Sequence, residues 1–384
     1  MMKPKLFITT TVARTLFFFS GQPKLWKNEF DVTAIAAERD KLQHFAEEEG
    51  IASIYIPMHR EISLFSDFAC LMKFIWLFIR EKPIVVHGNT PKASLLSMVA
   101  AWLTRRPVRI YMCHGLRYQT TQGWFRKVLM AMEQLTCSCA THVVGVSEGV
   151  CRQLVADGLC KEGKAMIVGY GTAGGIDVER FSLEAIQGMP SVREQLNIPA
   201  SGFVFSFVGR IVKDKGINEL VSAFDSLSCK FDNCYLLLIG AQEKDLNPIS
   251  EETEKLIGSN SHIYAVGRQN DVRPWVAASN TIVLPSYREG VGMVLLEANA
   301  LGIPCIASDI IGCNDVIREG INGELVEVHN TDKLYDKMKD WYLHPEKVAL
   351  MASNCRNYVT ENFDARKVKE AYYQEYLNIV KLVK

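Results

Sequence analysis

Two glutamates, Glu289 and Glu297, lie eight residues apart in SYREGVGMVLLEANALGIPCIAS (286–308), with Gly290 and Gly292 just after the first. The apolar run 281–285 reads as a strand, 286–292 as its loop and 293–301 as a helix with Leu295, Leu296 and Ala300 toward a core. Glycines at 290 and 292 let the backbone approach a ligand closely. The helix start at Met293 presents N–H groups to an anion. A carboxylate can accept two hydrogen bonds from a vicinal diol. One carboxylate in the loop and one further along the helix, with an anion seat between them, would hold a sugar, a ribose and the phosphate that joins them. Taken alone, Glu297 reads more readily as a helix-surface residue than as a ligand.

A second stretch, FVFSFVGRIVKDKG (203–216), reads as a buried strand ending at Gly209-Arg210, then a loop with Lys213, Asp214, Lys215 and Gly216. Arginine offers a bidentate fork and lysine a point charge, which together suit a diphosphate at a strand's carboxyl end. A solvated basic loop would have the same composition. His114, in IYMCHG, ends a strand of the first half and would face a cleft; a core or capping histidine is the alternative.

These residues need strands to carry them. Short β-branched runs alternate with helix-length stretches: 84–87, 108–113, 143–146 and 165–168, then 204–208, 235–239, 263–266, 281–284 and 304–307. The alternation predicts α/β structure with parallel sheets in two doubly wound, Rossmann-like domains, whose ligands bind at the carboxyl ends of strands, in a cleft where two sheets face. The break near 178–200, with Met189-Pro190 and Pro199, divides the chain into 1–185, 186–365 and a last helix, 366–384, that could pack on either domain.

The chain has 384 residues, 48% of them hydrophobic, enough for sizeable cores. Lys+Arg and Asp+Glu both total 43, so no global field favours nucleic acid. Eleven scattered cysteines lack zinc-framework spacing and read as buried thiols in a reducing cytosol. Arg14 and three threonines break the apolar N-terminus, so a first strand explains it better than a signal peptide. Segment 64–79 is rich in Phe, Ile and Leu, but Asp67 and Lys73 keep it short of a membrane span.

The order FVGRIVKDKG, then REGVGMVLLEA, resembles the retaining GT-B glycosyltransferases of family 4, including bacterial surface-polysaccharide enzymes. His114-Gly115, VVGVSEGV and GIDVERF (175–181) fall where that family has similar segments. The resemblance covers nearly the whole chain. It implies two Rossmann-like domains facing across a cleft, the first for the acceptor and the second for a nucleoside-diphosphate sugar. Position by position, Arg210 and Lys215 resemble the pyrophosphate-binding pair, with Gly209 beside them. Glu289, Gly290, Val291, Gly292 and Met293 resemble the loop that holds the donor sugar. Glu297 resembles the ribose ligand, Gly267-Arg268 the base-binding turn, and His114 a histidine beside the donor sugar that orients a hydroxyl. With these cations and helix N–H groups, and no DxD dyad, the leaving diphosphate is expected to need no metal. Many relatives carry paired glycines after the first strand, a role expected here of Gly21, and an Asn before GVD where this chain has Gly174.

The expected activity is retaining transfer of a hexose or N-acetylhexosamine from a UDP-sugar to a lipid-linked glycan, without a cofactor. A sugar-nucleotide epimerase, a silent partner subunit and a nucleotide-binding regulator are the alternatives. Segments of the first half mix aromatics with cations: Trp102, Trp124 and Phe125 with Arg105, Arg106, Arg126 and Lys127. They fit peripheral association with an anionic membrane at its cytoplasmic face, and they also fit core helices with polar rims.

Overall fold

The computed structural model describes residues 3–243 and 247–382. The chain forms two compact units, Met1–Gly175 with Ala365–Lys384, and Ile176–Asp364. The division thus falls ahead of the sequence-based limit at 185.

The first unit is a parallel sheet of seven strands: β1 (Lys5–Thr9), β2 (Asp31–Ala36), β3 (Ala52–Tyr55), β4 (Val85–Gly88), β5 (Val108–Cys113), β6 (His142–Gly145) and β7 (Ala165–Met166). Their order is β3-β2-β1-β4-β5-β6-β7. The second has six parallel strands: β8 (Phe203–Val208), β9 (Cys234–Ile239), β10 (Ile263–Gly267), β11 (Thr281–Leu284), β12 (Cys305–Ser308) and β13 (Gly323–Val326), in the order β10-β9-β8-β11-β12-β13. In each unit the connections run one way from the first strand and then reverse, which creates a switch point, β1/β4 in the first and β8/β11 in the second. Helices cover strands such as FVFSFV and CYLLLI on both faces, so these runs are almost continuously apolar.

The last helix, Ala365–Lys381, packs on the first unit. Tyr376 stacks on Trp26 with ring centroids 4.9 Å apart and meets His87 Nδ1 at 2.7 Å, while Tyr372 donates to the Thr172 carbonyl at 2.8 Å. At Gly174, where the resemblance leads one to expect Asn, a Cβ would lie 2.0 Å from the Phe18 carbonyl oxygen, so the position has no room for a side chain. Gly21 does not stand open in the place of the paired glycines. Its N–H donates to Glu49 at 2.7 Å, after the 3₁₀ segment Ala13–Phe19. All eleven cysteines are free thiols, and Cys229 is the one that is exposed.

In the second unit the helix Met293–Ala300 is tied down by a buried amide pair. Asn322 Nδ2 donates to Asn299 Oδ1 at 2.7 Å and to the Val316 carbonyl at 3.0 Å, while Asn299 Nδ2 reaches the Ile303 carbonyl at 2.9 Å. Both side chains are fully buried, so each lost partner leaves an uncompensated polar group. Asn322→Ala is expected to cost about 2–4 kcal/mol in urea unfolding, from the broken network and the unpaired Asn299. A loss below about 0.5 kcal/mol would mean that the pair does not anchor the helix.

Candidate active site

The second unit's switch point brings two of the sequence-selected residues together. Lys215 ends the 3₁₀ turn Lys213–Lys215 beyond β8, and Glu289 lies in the loop beyond β11. Because β8 and β11 are parallel neighbours, both loops leave the same edge of the sheet. Lys215 Nζ contacts Glu289 Oε1 at 2.5 Å, with side chains only 19% and 16% exposed.

Backbone contacts set this distance. Tyr287 N–H donates to the Asp214 carbonyl at 2.9 Å. Gly216, with φ +70°, packs so closely that a Cβ would lie 2.0 Å from the Pro285 carbonyl oxygen. The Tyr287 hydroxyl donates to Glu219 at 2.6 Å, and its ring lies 3.8 Å from that of His329. Burial, then the bond to Glu219, push the Tyr287 phenol well above its usual range, so it stays a donor. Tyr287 and Glu219 were not singled out in the sequence, because nothing local links positions so far apart.

The remaining donor-loop residues follow. Gly292 N–H donates to the Gly312 carbonyl at 3.2 Å, and Gly312 approaches Gly290 so closely that a Cβ would lie 2.8 Å from its carbonyl. Gly290, Val291 and Gly292 are thereby held against the loop after β12, and Met293 begins the helix. Glu297 sits on that helix, partly buried. Burial raises its carboxyl to about 7, against the pull of Arg180. Arg180 belongs to GIDVERF, but only the fold shows its charge acting on Glu297.

Other expected ligands stand apart. Arg210 leaves β8 and pairs with Glu243 at 2.9 Å, both being substantially exposed. Gly209 is pressed by Gly240, where a Cβ would lie 1.7 Å from the Gly209 carbonyl oxygen. Gly267 ends the edge strand β10 and Arg268 follows it, both exposed, and the Gly267 carbonyl accepts from Gly240 N–H at 2.9 Å. In the first unit His114 follows β5, with the Phe18 and Phe19 rings each 6.1 Å from it. Burial lowers its imidazole to about 4, so the ring is neutral near pH 7. Its Nε2 has no hydrogen-bond partner among the described residues. A cavity of about 470 Å³ lined by Lys3, Lys5 and Lys27 opens at the amino ends of β1 to β3, the sheet edge opposite His114.

A family model described as glycosyl transferases group 1 matches residues 189–358, and one described as glycosyltransferase family 4 matches residues 24–171. Over 382 residues the chain is 34% identical to the capsular polysaccharide biosynthesis glycosyltransferase CapM of Staphylococcus aureus, with 99% of each chain covered. The chain belongs to glycosyltransferase family 4. This glycosyltransferase is also 25% identical over 364 residues to the Escherichia coli UDP-Gal:alpha-D-GlcNAc-diphosphoundecaprenol alpha-1,3-galactosyltransferase, covering 91% of this chain and 90% of the relative. Its fold matches the crystal structure of Anabaena Alr3699/HepE in complex with UDP at a TM-score of 0.79 and 18% identity, covering 98% of this chain and 100% of the other. The fold of the glycosyltransferase is therefore GT-B.

A raised carboxyl means that the folded chain holds the Glu297 proton more tightly than the unfolded chain does. The stability that this proton gives is full below about pH 4.5 and is lost as the pH rises through about 7. Glu297→Gln removes that loss. Its melting temperature should exceed the wild type's by several degrees above pH 7, and the two should converge below pH 4.5. Equal melting curves at every pH would show Glu297 to be solvated.

Proposed function

We propose that this glycosyltransferase moves a hexose or N-acetylhexosamine, with retention of anomeric configuration, from a UDP-sugar to a lipid-linked glycan in surface-polysaccharide biosynthesis. The Lys215–Glu289 contact at the β8/β11 switch point carries the reading. It sets a cation for a diphosphate beside a carboxylate for sugar hydroxyls, in the crevice where open α/β sheets bind ligands. The relatives support the substrate classes: CapM by its capsular role, the Escherichia coli enzyme by its UDP-Gal donor and diphosphoundecaprenol acceptor, and HepE by its bound UDP.

In this mechanism Lys215 exchanges part of its contact with Glu289 for the donor's diphosphate, and the freed carboxylate oxygens accept from sugar hydroxyls. Arg210 leaves Glu243 for the diphosphate, an exchange of low cost because exposed ion pairs contribute only about 0–1 kcal/mol. The N-terminus of Met293–Ala300 faces the anion. Glu297, ionised above about pH 7, accepts from the ribose diol. His114, neutral, orients a donor-sugar hydroxyl. The acceptor hydroxyl attacks from the face that the diphosphate leaves, and the departing phosphate oxygen takes its proton. Charge on the leaving group is met by side chains and helix N–H groups, so no divalent cation is required. The protein works at the cytoplasmic face of the membrane that holds the lipid-linked acceptor. No helix among the described residues is long and apolar enough to cross a membrane.

Incubation with UDP-, GDP- and ADP-sugars and a polyprenyl-diphosphate-linked acceptor tests the reading. A product with the donor's anomeric configuration by NMR, formed equally in EDTA, is expected. Inversion, or a titratable need for Mn²⁺ or Mg²⁺, would overturn the corresponding part.

Side-chain roles separate in kinetics. Lys215→Ala should lose about 3 kcal/mol of transition-state stabilisation, comparable to removing one preorganised donor. Glu289→Gln should depress kcat, whereas Glu297→Gln should chiefly raise KM for the donor. The reverse pattern would mean that the two glutamates have exchanged roles.

A further inference from the structure

The helix Leu64–Glu81 of the first unit is apolar on two sides. Cys70, Phe74, Leu77 and Phe78 are buried in the unit's core. On the outward side Phe65 is 94% exposed, Phe68 64%, Met72 47%, Trp76 59% and Ile79 58%. Steps of three and four residues place these five side chains on one stripe along the whole helix. A stripe of this length on a surface helix is an interaction surface rather than scattered exposure.

The charges around the stripe identify what covers it. Lys73 and Arg80 are exposed on the same side, and the Arg80 guanidinium lies 5.2 Å over the Trp76 ring. Both acids of the helix are neutralised. Asp67 pairs with Lys92 at 2.7 Å, and Glu81 pairs with Lys5 at 2.6 Å and Arg80 at 3.2 Å. In the turn before the helix the exposed Glu61 stands next to the exposed Arg60. The face is therefore apolar with a positive margin. The neighbouring helix Pro91–Leu103, packed against this one, ends in exposed Trp102 and Leu103, followed by exposed Arg105. Arg106 is turned back onto the Thr104 carbonyl and contributes less.

We propose that the outward face of Leu64–Glu81 lies in the plane of an anionic bilayer, with Phe65, Phe68, Met72, Trp76 and Ile79 below the headgroups and Lys73 and Arg80 among them. At about 1.5 Å per residue its 18 residues span about 27 Å, and four of them carry charged side chains, so the helix lies on the membrane and does not cross it. The lipid-linked-acceptor reading gives this surface its use. The geometry of the face is independent of that reading.

The test is vesicle flotation without any sugar substrate, using phosphatidylcholine alone and phosphatidylcholine mixed with phosphatidylglycerol. Wild type should float with the anionic vesicles, less so at high salt, and the Trp76 emission should shift to the blue, a shift lost in Trp76→Phe. Phe65→Ser/Phe68→Ser and Lys73→Glu/Arg80→Glu alter exposed side chains and should keep the wild-type melting curve. Each should reduce vesicle partitioning by about tenfold or more. Flotation of both variants like the wild type would overturn the proposal. So would a wild-type dimer in lipid-free buffer that the Phe65/Phe68 variant dissociates, since a second copy would then cover the face. Transfer to a short, water-soluble acceptor, assayed without vesicles, reports on the glycosyltransfer reading alone. Flotation without any transfer would leave the surface standing and remove the activity.

Discussion

Lys215 and Glu289 can touch only because two loops from adjacent parallel strands are sewn together in backbone. The Tyr287 N–H to the Asp214 carbonyl, and the approach of Gly216 to Pro285, fix the gap before any side chain is placed. Partial burial then makes the ion pair count. An exposed pair such as Arg210–Glu243 contributes about 0–1 kcal/mol and is readily exchanged. Lys215 and Glu289 have lost most of their water, so each depends on the other until another anion or hydrogen-bond donor arrives. The Tyr287 phenol on Glu219 extends the same brace to the helix that follows the lysine turn.

The helix after Glu289 meets a different constraint. Leu295, Leu296, Ala298 and Ala300 commit most of its surface to the core, and the Asn299–Asn322 pair locks its end. Glu297 is left partly buried on the same helix, where desolvation raises its carboxyl to about 7. A carboxylate whose pKa burial perturbs is the type of group that functional sites use, and the proposed ribose contact draws on it.

The sequence shows most of the strand framework because buried parallel strands are written as apolar runs. Val108–Cys113 and Thr281–Leu284 match end to end. Strands β2, β3 and β13 carry a weaker sequence signal for identifiable reasons. β2 is rich in alanine, β3 is a largely exposed edge strand, and β13 is a four-residue edge strand beginning with glycine. Lys215 and Glu289 were legible because each lies in a loop that a neighbouring strand end already implies, and Glu297 because the apolar run after that loop reads as a helix. Tyr287 with Glu219, and Arg180 with Glu297, depend on chain segments that only folding brings together. The apolar richness of 64–79 was visible too, but which side faces water depends on where the core lies.

The closing helix has a consequence for how the protein is made. Tyr376 and Tyr372 complete the first unit against Trp26, His87 and Thr172, yet they leave the ribosome only after the whole of the second unit. At about 5–20 residues per second, the face bearing Trp26 waits uncovered for roughly 10–40 s during synthesis. The second unit, continuous in sequence, can fold as it emerges. The first to be translated is therefore the last to be finished, and a chain cut short before residue 365 would lose the closure of its amino-terminal half while keeping its carboxyl-terminal half intact.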